Sequence, residues 1–186
     1  VYSLKAEYHV YNQIVMRPPS RELGELARYS LNGKEYLILY GGIGYETFSD
    51  VWTIPVPKKH HADKAWTQHE IRYESHPATE SISLFLSTFS ITHYRGKPKA
   101  FIFGGTLKIG KSSYMDFPNN TLYKLDLETF QAKVLTPLSP STPSARRHHS
   151  SCFLGQVLYV IGGIDYTKEE HLDEVWKYSH RKHLSN

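Results

Sequence analysis

The sequence predicts an all-β chain made of about three repeats of a four-stranded antiparallel sheet. Internal repetition is the first observation. "LILYGGIGYETFSDVWTIP" (37–55), "AFIFGGTLKIGKSSYMDFPNNTLYKLD" (100–126) and "LYVIGGIDYTKEEHLDEVWKYSH" (158–180) each write an apolar run, two glycines, a polar stretch and an aromatic-bearing strand. The second observation is spacing: Gly41, Gly104 and Gly162 stand 63 and 58 residues apart, room for four short strands and their loops. The third is that no stretch sustains a helical period, whereas short runs alternate apolar and polar residues throughout.

Each repeat reads as a hairpin followed by two further strands. The hairpins are Leu26 to Leu31 with Tyr36 to Tyr40, part of Leu84 to Tyr94 with Ala100 to Phe103, and Ser150 to Leu154 with Val157 to Ile161. Their turns are Asn32-Gly33, Arg95-Gly96 and Gly155. Asn-Gly between apolar runs is a strong hairpin signal because both residues tolerate the positive φ of a type I′ turn. The third strands are "DVWTIPV" (50–56), "TLYKLDLET" (121–129) and "DEVWKYS" (173–179); fourth strands follow in two copies, "AWTQHEIRY" (65–73) and "AKVLT" (132–136). The leading "AEYHVYNQIVM" reads as the last strand of an earlier copy. The repeats are therefore expected at 17–74, 82–136 and 143–186, the last incomplete, with 1–16 as a preceding strand.

The glycine pairs Gly41-Gly42, Gly104-Gly105 and Gly162-Gly163 allow φ values and close approaches that a Cβ would forbid. Trp52, Tyr123 and Trp176 return on the next strand, expected to pack between adjacent sheets. One such sheet cannot bury both faces alone, so the repeats must stack.

Composition limits the function classes. With 186 residues, 40% apolar and 13% aromatic, the chain has the material of one packed domain. Charged residues make up 22% and leave a net charge of +4, so the pI near 9.0 marks a modest excess. The tightest basic cluster, Arg146-Arg147-His148-His149, is not continued by a basic stripe, and nucleic acid is not an expected partner. No apolar run approaches the roughly 20 residues needed to span a bilayer as a helix. One cysteine, Cys152, excludes an internal disulfide and favours a reducing location, cytoplasmic or nuclear. Asn119-Asn120-Thr121 is a formal glycosylation sequon that carries little alone.

These residues together resemble the Kelch repeat: an apolar strand ending in two glycines, a variable loop, then a spaced aromatic pair. The pairs here are Tyr45 with Trp52, Tyr114 or Phe117 with Tyr123, and Tyr166 with Trp176. "SARRHHSS" is similar to the arginine and histidine-serine signature before the first strand; "PPSRELGELARYS" keeps its arginine alone, and "ESISLFLSTFS" keeps neither. The resemblance implies a β-propeller with one blade per repeat. Propellers have about four to eight blades, so three copies imply part of a longer one. It also implies a protein-interaction scaffold, a segment of a larger assembly, whose partner lies against loops on one rim.

The candidate loops are Gly44 to Ser49, Thr106 to Asn120 and Asp165 to His171, and the candidate contact residues are Tyr45, Lys108, Lys111, Tyr114, Met115, Phe117 and Tyr166. The middle loop either reaches a partner or folds over its own blade. The rival class is a propeller enzyme of the galactose-oxidase type, or a catalytic domain attached outside this segment. His60-His61 and His148-His149 are chain neighbours whose side chains diverge on extended backbone, so no metal site, cofactor or catalytic residue is assigned. Cys152 is expected in the core, and Arg147 and His149 are expected to join blades through hydrogen bonds.

Overall fold

The computed structural model describes residues 16–56, 65–74, 82–109, 117–139 and 141–179, with side chains at 82–84, 107–109 and 117 excluded. All regular structure among them is β. In chain order the strands are β1 (Glu25–Leu31), β2 (Lys34–Tyr40), β3 (Val51–Pro55), β4 (Thr67–His69), β5 (Arg72–Tyr73), β6 (Ile82–Phe85), β7 (Thr88–Tyr94), β8 (Lys97–Phe103) and β9 (Thr106–Ile109). They continue as β10 (Phe117–Pro118), β11 (Leu122–Asp126), β12 (Gln131–Leu135), β13 (Arg146–Arg147), β14 (Ser150–Leu154), β15 (Val157–Ile161), β16 (Ile164–Asp165) and β17 (Val175–Ser179).

Three antiparallel units follow: β1-β2-β3-β4, then β7-β8-β11-β12 and then β14-β15-β17. None closes on itself, and the all-β blade architecture expected from the repeats is the one observed. Asn32 (φ 51) with Gly33 (φ 71), and Arg95 (φ 52) with Gly96 (φ 77), give two hairpins the pair of positive φ angles a type I′ turn requires. At the third turn Gly155 has a φ of 60.

The expected fourth strand of the first repeat divides. Thr67–His69 pairs with β3, but Arg72–Tyr73 crosses to run parallel beside β12, so the second sheet gains a fifth strand. The expected run from Leu84 to Tyr94 also divides, at Leu86, whose φ of 58 turns the chain between β6 and β7. Leu23 (φ 55) and His148 (φ 55) do the same at equivalent positions. Bulky residues in the left-handed region cost about 1 kcal/mol, and nothing in leucine signals such a turn.

That turn separates each first strand from a short ladder that pairs with the segment after the glycines. Glu22 faces Ile43, Phe85 faces Thr106, and Arg147 faces Ile164. The second glycine of each pair touches the same three positions: a Cβ on Gly42, Gly105 or Gly163 would lie 2.7, 2.4 or 2.8 Å from the carbonyl oxygen of Glu22, Phe85 or Arg147. Steric exclusion thus fixes the glycine, and the three repeats are equivalent at these positions.

The core lies between blades. Tyr29, Ile38, Tyr40 and Val51 of the first pack against Phe89, Ile102, Tyr123 and Leu125 of the second; Phe101 and Phe103 of the second pack against Leu158 and Val160 of the third. Trp52 and Tyr123 are buried, while Trp176 is half-buried. Beside β17's outer edge a groove of about 760 Å³ is lined by Leu122, Leu135, Leu138, Trp176 and Tyr178. Cys152, expected in the core, is exposed on β14, because its side of the third blade faces away from the second.

Candidate binding rim

Each glycine pair is held by a side chain that reaches its first carbonyl. In the first blade Arg21 donates through Nη1 to Gly41 O at 2.8 Å and to Asp50 Oδ1 at 2.6 Å, with Nη2 on Asp50 Oδ2 at 3.1 Å. Asp50 also accepts from Trp52 Nε1 at 2.6 Å. In the third blade Arg146 donates from Nη1 to Gly162 O at 3.0 Å and from Nη2 to Glu174. The two clamps coincide in register, since Asp50 and Glu174 precede the paired Val51 and Val175.

The second blade has Leu84 at the arginine position and Thr121 at the acid position. Asn119 takes over there, donating from Nδ2 to Gly104 O at 3.0 Å while its Oδ1 accepts from Thr121 N at 3.1 Å. Its backbone N–H also reaches Gly105 O at 3.2 Å. Burial at 3% exposure leaves this amide no water to bond, so its partners are obligatory.

Because the clamps align, the segments after the glycines lie at corresponding places on one edge of the blades. Tyr45 stands 79% exposed there, its ring edge-on to Phe48 at 5.4 Å. Its counterpart Tyr166 is half-buried, its hydroxyl accepting from Thr106 Oγ1 of the preceding blade at 3.2 Å. Arg147, expected to join blades, makes no hydrogen bond across blades among the described residues. Its Nη2 donates to Glu169 Oε2 at 2.7 Å and its guanidinium lies 4.9 Å over the Tyr166 ring, all within one repeat. Neighbouring strand residues point to opposite sides, so Arg146 turns into the clamp and Arg147 turns out.

The expected middle loop, Thr106 to Asn120, is largely built structure at both ends. β9 pairs with β6 and with β10, Thr106 is buried, and Asn119 is the clamp. Lys111, Tyr114 and Met115 lie outside the described residues, as do the side chains of Lys108 and Phe117 and the pair His60-His61. Among the described residues no three His, Cys, Asp or Glu side chains converge as metal ligands would.

His149 does contact the neighbouring blade: Nε2 lies 3.1 Å from Thr88 Oγ1 and the ring meets Phe103 edge-on at 5.4 Å. Two more polar contacts join first strands, Ser90 Oγ to Ser151 Oγ at 2.7 Å and His93 Nε2 donating to Ser30 O at 2.9 Å. Burial pushes the His149 imidazole down to about 4, and the nearby Arg146 charge adds to the effect. Such a base binds fewer protons folded than unfolded between its ordinary value of 6.5 and about 4, so stability falls as pH drops through that window. Urea unfolding should show a loss of about 2 kcal/mol from pH 7 to pH 5, flattened by His149→Asn. An equal loss in the variant would assign the effect to other groups.

Residues 145–184 match the family model described as the Kelch motif. Among solved structures, a chain of the assembly titled "Cryo-EM structure of RAG in complex with one melted RSS and one unmelted RSS" superposes with a TM-score of 0.70 at 18% identity. The match covers 90% of this chain and 50% of the other, so this chain spans about half its length. At that identity the likeness is one of fold. No curated protein matches. The matched motif contains the Arg146 clamp, the third glycine pair and Trp176, and the same register recurs twice upstream; the chain therefore carries a Kelch repeat and folds as consecutive Kelch-type blades.

Proposed function

We propose that these blades form a protein-interaction module of a longer propeller, residing in the cytoplasm or nucleus, and that a protein partner docks on the rim after the glycine pairs. The observation that carries this is Tyr45: a large aromatic, 79% exposed on a segment anchored by the part-buried Arg21–Asp50 clamp. A rigidly held, solvent-facing tyrosine supplies contact area at little entropic cost. Blades beyond these three are supported by the third blade's outer face. Ile161 and Val175 are 45% and 53% exposed, whereas Tyr40 and Val51, at the same register in the first blade, are buried under the second. In this proposal the segment binds a partner and carries out no turnover.

The test combines Tyr45→Ala with replacement of residues 110–116 by a Gly-Ser linker, leaving β9, β10 and Asn119 in place. Partner capture from native extract should fall about tenfold with Tyr45→Ala and further in combination, while Tyr45→Ala stability stays within about 0.5 kcal/mol, as for a surface site. Lys34→Ala on the opposite, hairpin-turn edge should leave capture unchanged. If every partner survives both rim changes, the partner docks elsewhere.

A further inference from the structure

We infer that the sequon Asn119-Asn120-Thr121 is closed to N-glycosylation by the fold itself, because its acceptor amide is the clamp of the second blade. Transfer would require Nδ2 to bond to the anomeric carbon of a lipid-diphosphate-linked oligosaccharide. That carbon's bond to the diphosphate breaks, the lipid diphosphate leaves, and the amide loses one proton. In the folded chain Asn119 is 3% exposed, with Nδ2 donating to Gly104 O at 3.0 Å and Oδ1 accepting from Thr121 N at 3.1 Å. Gly104 is itself closely packed, since a Cβ there would lie 2.5 Å from the His149 ring and 2.8 Å from Arg146 O. A glycan on Nδ2 cannot occupy this space, and glycans require surface positions.

The consequence runs in both directions. The folded blade hides the acceptor, and a chain modified before folding cannot seat Asn119 on Gly104 O, a contact for which the second blade has no arginine in reserve. The sequon thus reads as a fold element that resembles a modification signal, and it separates chains folded away from the glycosylation machinery from chains that meet it unfolded.

The test uses the chain purified from cytosolic expression, with a second sequon in an appended C-terminal tag, incubated with an oligosaccharyltransferase and a lipid-linked oligosaccharide donor. Site occupancy is read by mass spectrometry. The tag site should fill while Asn119 fills at least about tenfold more slowly, limited by opening of the blade. Tyr123→Ala, which removes a core side chain of the second blade and so makes its opening easier, should raise occupancy at Asn119 and leave the tag site unchanged. Occupancy at Asn119 matching the tag in the unaltered chain, with its thermal midpoint intact, overturns the inference. So does an Asn119 rate indifferent to Tyr123→Ala.

Discussion

Truncating Tyr123 to alanine is expected to lower stability by about 3 to 5 kcal/mol, the cost of deleting a large aromatic from a packed core. Tyr123 is 3% exposed between the first two blades, edge-on to Tyr73 at 5.7 Å and packed in the cluster that holds Ile38, Tyr40 and Ile102. Burial pushes its phenol upward, consistent with the apolar site. Trp52, at the same register and 4% exposed, should cost as much. Trp176→Ala should cost about half, because its side chain is half-buried beside the groove at β17 and removes less area from water. Urea midpoints for the three variants check the ranking. Equal losses would mean that the outer edge of β17 is covered in solution, and a loss below about 1 kcal/mol at Tyr123 would contradict the stacking of the blades.

That contrast shows how far the residues alone reach. The glycine pairs, the Asn32-Gly33 turn and the three aromatics were legible because each has a local steric or hydrophobic cause that writes itself into residue type. The left-handed turns at Leu23, Leu86 and His148 were not, since those residue types impose no such φ and only pairing on both sides holds it. The strands at the two ends of the middle loop were missed for a related reason: β9 takes its ladder from β6, more than 20 residues upstream, and β10 in turn pairs with β9, and pairing at such a distance leaves little period in so short a strand. The basic cluster showed an arginine and a histidine at work but missed the face. A strand alternates sides at each residue, so an error of one position exchanged Arg146, wholly buried, for Arg147 on the rim. Asn119 was hidden behind its sequon. Its role became visible only once Gly104 O proved to need a donor that Leu84 cannot supply.

Replacing Arg146 with alanine is the second large effect expected, about 3 kcal/mol. The guanidinium is wholly buried, while its partner Glu174 is 42% exposed, so the loss does not come mainly from stranding the acid. A carboxylate that reaches water keeps most of its solvation, and its ion pair is correspondingly weak. Three other terms dominate. Gly162 O loses its donor at 3.0 Å, Ser144 O loses Nε at 3.2 Å, and the space filled by the arginine stem becomes a void at the foot of the third blade. Each stranded, partly buried carbonyl costs about 1 kcal/mol, and the neighbouring chain cannot collapse into the void because Gly105 N donates to Arg146 O at 2.7 Å and fixes the backbone. Glu174→Gln should therefore cost no more than about 1 kcal/mol, since it keeps the shape and an oxygen acceptor for Nη2. The guanidinium beside it holds the Glu174 carboxyl below its ordinary range, so its contribution is present above about pH 4.5 and is lost as pH falls further. Chemical unfolding of the two variants at pH 7 decides the matter. If Glu174→Gln costs as much as Arg146→Ala, the ion pair and not the glycine carbonyl is the seat of the clamp, and the equivalence drawn between Arg146 and the neutral Asn119 fails with it.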